Sequence, residues 1–91
     1  MDNDFKKSNF SILFVDDEEK STKYFKKTFG KDFNIITTNN PKEVLKIIDS
    51  SQEEIAVVIS DQVMPDSSGV ELLSQIKEKK HNIIRILTTA Y

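Results

Sequence analysis

An α/β fold on a parallel sheet is what this sequence predicts, and three observations predict it. Short apolar runs alternate with helix-period segments in the order βαβαβαβ. The run Ile55–Ser60 is apolar almost throughout, the pattern of a strand covered on both faces, as parallel strands are. Acids or hydroxyls stand at three strand ends, Asp16-Asp17, Asp61 and Thr88-Thr89. Open parallel sheets bind their ligands beyond the carboxyl ends of their strands.

Each element has a local reason. Phe10–Val15 (FSILFV) is rich in β-branched and aromatic types and is stopped by Asp16-Asp17, so it reads as the first strand. Glu18–Phe29 carries helix formers with Tyr24, Phe25, Thr28 and Phe29 at i,i+4 spacings, a core-facing stripe, and Gly30 falls at C′. Phe33–Thr38 is the second strand. Asn40 as N-cap, Pro41 at N1 and Glu43 at N3 form a capping-box pattern opening a helix over Pro41–Asp49, with Val44, Leu45, Ile47 and Ile48 on its apolar side. Ile55–Ser60 is the third strand and Asp61–Ser68 a loop. Ser68 and Glu71 give a second capping box, opening a helix to about Lys80 with Val70, Leu73 and Ile76 at core spacing. Ile83–Thr88 is the fourth strand. The crossovers are expected to be right-handed.

Composition narrows the function classes. Ninety-one residues make one domain, read here as a polar lead-in over 1–9 and a domain over 10–91. Thirteen basic against fifteen acidic residues leave a net charge of −2, without the basic footprint of a nucleic-acid binder. No cysteine is present, which excludes disulfides, thiolate zinc sites and cysteine nucleophiles, and the single His81 excludes a polyhistidine metal site. The longest apolar run, Ile55–Ile59, is far short of the ~20 residues of a membrane span, and the first ten residues lack a signal-peptide h-region. A cytoplasmic location is therefore expected.

Acids at strand ends are often ordinary solvated loop residues; their conjunction is the signal. If the first and third strands are neighbours, as in the order 2-1-3-4-5, Asp16, Asp17 and Asp61 converge on one edge. Carboxylates so placed repel one another, and a hard divalent cation, Mg²⁺ or Mn²⁺ in its place, relieves that repulsion. One carboxylate at such a site can be a nucleophile that forms an aspartyl phosphate. A hydroxyl at the neighbouring strand end, Thr89 or alternatively Thr88, is placed to bond a phosphoryl oxygen.

Four segments together resemble the receiver domain of two-component response regulators: Phe14–Glu18, the Asn40-Pro41 helix start, Asp61–Gly69 with its D-x-x-M-P-x-x-x-G pattern, and Ile86–Ala90. The resemblance implies a flavodoxin-like fold with Asp61 as phosphoacceptor. It implies Asp16, Asp17, Asp61 and the backbone carbonyl of Val63 as Mg²⁺ ligands, and Thr89 as the switch hydroxyl. Pro65 and Gly69 would shape the loop beside the acceptor. It also implies a sensor histidine kinase or phosphotransfer protein as donor, an output domain or partner that the sequence does not identify, and a regulatory switch rather than a turnover enzyme. Ser60 and Val44 depart from the family pattern at positions expected to leave the chemistry untouched.

The family's domain continues with a further helix, strand and helix, which carry its lysine and its aromatic switch residue. These 91 residues are thus expected to be a C-terminally truncated (βα)3β receiver, impaired in phosphotransfer and prone to self-association, either through the open edge of the fourth strand or by exchange of elements between chains. The alternative is a pseudo-receiver that binds partners without being phosphorylated. A metal-dependent hydrolase with an Asp nucleophile would need a second acid two residues after Asp61, where Val63 stands. Val63 and Tyr91, two residues after Asp61 and Thr89, are expected to exclude water at the rim of the site.

Overall fold

The computed structural model describes residues 10–52, 54–64, 67–80 and 82–88. The chain runs β1 (Phe10–Val15), α1 (Glu19–Phe29), β2 (Asn34–Thr38), a 3-10 turn (Pro41–Glu43), α2 (Val44–Ser50), β3 (Glu54–Asp61), β4 (Val63–Met64), β5 (Ser67–Ser68), α3 (Gly69–Lys79) and β6 (Ile84–Thr88). Four strands form one sheet in the order β2-β1-β3-β6, and every pairing in it is parallel. This is the flavodoxin-like arrangement, with β1 and β3 adjacent as the site required.

Register and burial separate the two faces. Leu13, Val15 and Val58 pack with Val44 of α2 and with Leu72 and Ile76 of α3 in one core cluster. On the opposite face Phe14 stacks on Phe25 of α1, with ring centroids 4.2 Å apart and planes inclined by 8°. Val57 and Ile59 of β3, level with Ile84 and Ile86 of β6, lie on that second face. α1 reaches only part of it. Val57 and Ile59 are half-buried, while Ile84 and Ile86 are 60% and 42% exposed. The expectation that β3 is covered on both faces therefore holds fully for one face only.

Local corrections follow from how the helices meet the sheet. The buried stripe of α3 is Gly69, Leu72 and Ile76, with Leu73 partly buried beside it; Val70 is 50% exposed, one residue off the predicted stripe. In α1 the buried residue is Thr22, while Tyr24 is 72% exposed and Phe29 is also exposed. α1 begins at Glu19, and its C-cap Gly30 has φ −68°, a right-handed conformation, so no left-handed C′ residue ends the helix. Gly30 is needed instead for close approach: a Cβ there would lie 2.5 Å from the Lys26 carbonyl oxygen. The capping box at Asn40 does not form. Its side chain accepts from the Lys42 N–H at 3.0 Å, and Glu43 turns away to accept from the Thr38 hydroxyl at 3.2 Å, so the first turn is 3-10 and α2 begins only at Val44. At α3 the expected cap is present, with Ser68 Oγ accepting from the Glu71 N–H at 3.1 Å. The stretch Asp61–Ser68, expected as a loop, contains the two-residue antiparallel pair β4–β5. Strands that short carry no readable alternation.

Candidate metal centre

The register of the sheet builds the site. Val15 is level with Thr38 on one side and with Ser60 on the other. The next residue along each strand path, Asp16, Asn39 and Asp61, therefore emerges at the same C-terminal edge. Asp61 is in turn level with Thr88 of β6. Each of Asp16, Asp17 and Asp61 offers a carboxylate oxygen, and these oxygens all lie within 4.8 Å of one another. Asp16 and Asp61 are half-buried and Asp17 is exposed. The three predicted carboxylates thus meet. Thr88, the alternative hydroxyl, is aimed at the Ser60 carbonyl at 3.4 Å. Thr89, Pro65, His81 and Tyr91 lie outside the described residues.

The backbone around the acids is held from several sides. Asp16 N–H donates to the Thr38 carbonyl at 3.2 Å, and Asp16 Oδ1 accepts from the Glu18 N–H at 3.0 Å, closing the turn into α1. Ser60, fully buried, donates its hydroxyl to the Asp61 carbonyl at 3.0 Å, so this position touches the Asp61 backbone. Gln62, directly after Asp61, donates its N–H to the Thr88 carbonyl at 2.9 Å. Its carbonyl accepts from Gly69 N–H, and its side-chain oxygen from Val70 N–H, both at 3.2 Å. Asp61 is thereby tied to both β6 and the start of α3. Sequence reasoning missed Asn39, Thr22 and Gln62; polar residues at a strand end or in a first helical turn give no distinct pattern, and only the register brings them to the site.

Charge makes the cluster costly without a cation. Two unit charges ~5 Å apart repel by about 1 kcal/mol in bulk water and by about 3 kcal/mol at an effective dielectric constant near 20. Asp16 registers this: burial, and then the Asp61 and Asp17 charges, push its carboxyl above the ordinary value of 3.8, against the lowering effect of its hydrogen bonds from Glu18 and Ser21. Among the described residues none of the three carboxylates has an ion pair; the Lys23–Glu19 pair lies along α1. The donor set is hard oxygen only. Ligands at ~2.0–2.1 Å from one octahedral Mg²⁺ lie up to about 4.2 Å apart, and retained waters extend that reach. A spread of 4.8 Å fits such an ion when one of the carboxylates reaches it through a retained water.

The family model for the response regulator receiver domain matches residues 12–91. The hydrogenase transcriptional regulatory protein HoxA of Cupriavidus necator is 30% identical over 81 residues, which are 89% of this chain and 16% of that protein. Histidine kinase P4 of Formosa agariphila is 35% identical over 86 residues, 92% of this chain and 6% of that protein. Among solved structures, the response regulator TrrA of Thermotoga maritima, crystallised in complex with Mg(2+)-BeF, is 36% identical with a TM-score of 0.80, over 89% of this chain and 70% of that one. A receiver domain from Clostridium thermocellum is 31% identical with a TM-score of 0.80, over 87% of this chain and 64% of that one. This chain belongs to the response regulator receiver domain family of two-component systems. It spans about a sixth of the length of the HoxA proteins it matches. No helix among the described residues is long and apolar enough to cross a membrane.

Proposed function

We propose that this receiver domain accepts a phosphoryl group on Asp61 from a histidine kinase or phosphotransfer protein, at a Mg²⁺ site formed by Asp16, Asp17, Asp61 and the Val63 carbonyl. The observation that carries the reading is the approach of three carboxylates within 4.8 Å at the edge where β1 and β3 end. An Asp61 oxygen forms the new P–O bond as the donor's P–N bond breaks, and the leaving imidazole takes up a proton. Mg²⁺, when bound, offsets charge on the equatorial phosphoryl oxygens. The Thr89 hydroxyl donates to one of those oxygens, and Val63 with Tyr91 limits the approach of water. The domain acts as a switch, reset by hydrolysis, rather than as a turnover enzyme. TrrA, bound to Mg(2+)-BeF, supports Mg²⁺ and not the Mn²⁺ alternative. The assembled triad disfavours the pseudo-receiver reading.

The same reading assigns residues 10–91 to the receiver unit, with 1–9 as a lead-in, in a cytoplasmic protein. It also includes self-association of the 91-residue chain. β6 is an edge of the described sheet and exposes Ile84 and Ile86.

The test is calorimetric titration with Mg²⁺, followed by mass spectrometry after incubation with phosphoramidate. Mg²⁺ binding that is lost in Asp17→Asn and Asp61→Asn is the expected result, as is any phosphoryl adduct mapping to Asp61. A wild-type chain that ignores Mg²⁺, or an adduct that survives Asp61→Asn, overturns the reading.

A further inference from the structure

We infer that Asn39 is a positioning residue for the acid pair, its side-chain amide clamping the Asp16 carbonyl and the Thr22 hydroxyl so that Asp17 faces Asp61. The inference rests on the Mg²⁺ reading above and adds to it a residue outside the ligand set.

Asn39 Nδ2 donates to the Asp16 carbonyl oxygen at 2.9 Å and to Thr22 Oγ1 at 3.0 Å. Asn39 itself is exposed, so no packing demand explains an amide there. Thr22 is the one buried residue of α1, and its hydroxyl donates to the Glu19 carbonyl at 2.9 Å. That leaves the hydroxyl oxygen free to accept from Asn39. The three groups belong to three different parts of the chain: the end of β2, the turn after β1 and the first turns of α1.

The geometry acts on Asp17 through the peptide plane. The Asp16 carbonyl belongs to the Asp16–Asp17 peptide, and that plane sets where the Asp17 side chain leaves the backbone. Asp17 is exposed, and among the described residues its carboxylate accepts no hydrogen bond that would hold it. Asp16 differs, since the Glu18 N–H holds its carboxylate directly. The placement of Asp17 against Asp61 is thus delegated to the backbone. That backbone is pinned to the end of β2 twice, by the Asp16 N–H on Thr38 and by Asn39 on the Asp16 carbonyl. Without the second pin, three repelling carboxylates are free to spread.

Partners that orient metal ligands typically change metal affinity by about tenfold or more when removed. Asn39→Ala should therefore weaken Mg²⁺ binding by about tenfold in calorimetric titration, while metal-free circular dichroism keeps its wild-type form. Thr22→Val, which removes the anchoring hydroxyl, should shift Mg²⁺ affinity in the same direction. Thr22→Ser, which keeps the hydroxyl, should restore wild-type affinity. The double variant Asn39→Ala/Thr22→Val should bind no more weakly than Asn39→Ala alone, because both act through one clamp. Wild-type Mg²⁺ affinity in Asn39→Ala, whatever its thermal midpoint, overturns the inference. If binding is kept in Asn39→Ala but lost in Asp17→Asn, only the clamp falls. If the wild-type chain binds no Mg²⁺, the site reading falls with it.

Discussion

Gly69 approaches Asp61 so closely that a β-carbon on it would lie 2.6 Å from the Asp61 carbonyl oxygen. The first residue of α3 and the proposed acceptor are thus in backbone contact, which the Gly69 N–H bond to the Gln62 carbonyl reinforces. Leu87 Cδ1 would be met at 2.5 Å and can rotate away; the Asp61 carbonyl, inside a strand end, cannot. Gly69→Ala should destabilise the domain by about 1–3 kcal/mol, the usual cost of overpacking. It should also weaken Mg²⁺ binding, since the relief available is displacement of the Asp61 backbone. Urea melts and Mg²⁺ titration check the two effects separately.

The acid cluster makes metal-free stability depend on pH with a definite sign. Burial, followed by the Asp61 charge, raises the Asp16 carboxyl above 3.8. A raised native value means that the folded chain holds the proton more tightly than the unfolded chain. The Asp16 contribution is therefore unfavourable once pH is above the native value, and it is relieved as pH falls through that value toward 3.8. Comparing wild type with Asp16→Asn in a chelating buffer isolates the contribution. Asp16→Asn should be the more stable of the two at neutral pH, and the difference should shrink on acidification. Saturating Mg²⁺ should reverse the order.

The Phe14–Phe25 stack joins the strand that carries the acids to the helix that follows them. Phe25 is also within 4.8 Å of Phe29, centroid to centroid, with planes tilted by 49°. Phe25 is half-buried. Phe25→Ala should cost about 2 kcal/mol, below the ~3–5 kcal/mol of a fully buried Phe. Denaturant unfolding measures it, and a cost near zero would mean that α1 is not anchored through this ring.

Ser68 caps α3 through its bond to the Glu71 N–H. Ser68→Ala should cost about 1 kcal/mol. Ser68→Asp should retain most of that stability, because a carboxylate also accepts at an N-cap. Thermal melts of the three proteins give the comparison.

Self-association through β6 should appear as a rise in sedimentation coefficient with concentration. Ile84→Lys and Ile86→Lys place charges on the exposed face of the edge strand and should suppress it. A chain that sediments as a monomer throughout the millimolar range would remove this part of the reading.

The order of the helices and of the four main-sheet strands, the parallel sheet, the acids and the family were legible in the sequence, because each rests on local signals: apolar runs, turn residues and a D-x-x-M-P-x-x-x-G pattern that needs no partner to be read. The helix faces were legible in part: Val44, Leu45, Ile47 and Ile48 of α2 meet the core as expected, while the stripes of α1 and α3 shifted. Predicting Val70 in place of Leu72, and Tyr24 in the stripe, followed from several stripes that the spacing allowed; contact with the sheet chose one centred on Leu72 and Ile76 in α3 and on Thr22 and Phe25 in α1. Glu43 likewise had two acceptable partners, and the nearby Thr38 hydroxyl won it. That three carboxylates share one edge was conditional on β1 and β3 being neighbours, a pairing between residues more than forty positions apart. Only the tertiary structure decided it, together with the level of Asp16 beside Asn39. Hydrogen-bond register across strands is a property of several segments at once and leaves no trace in any one of them.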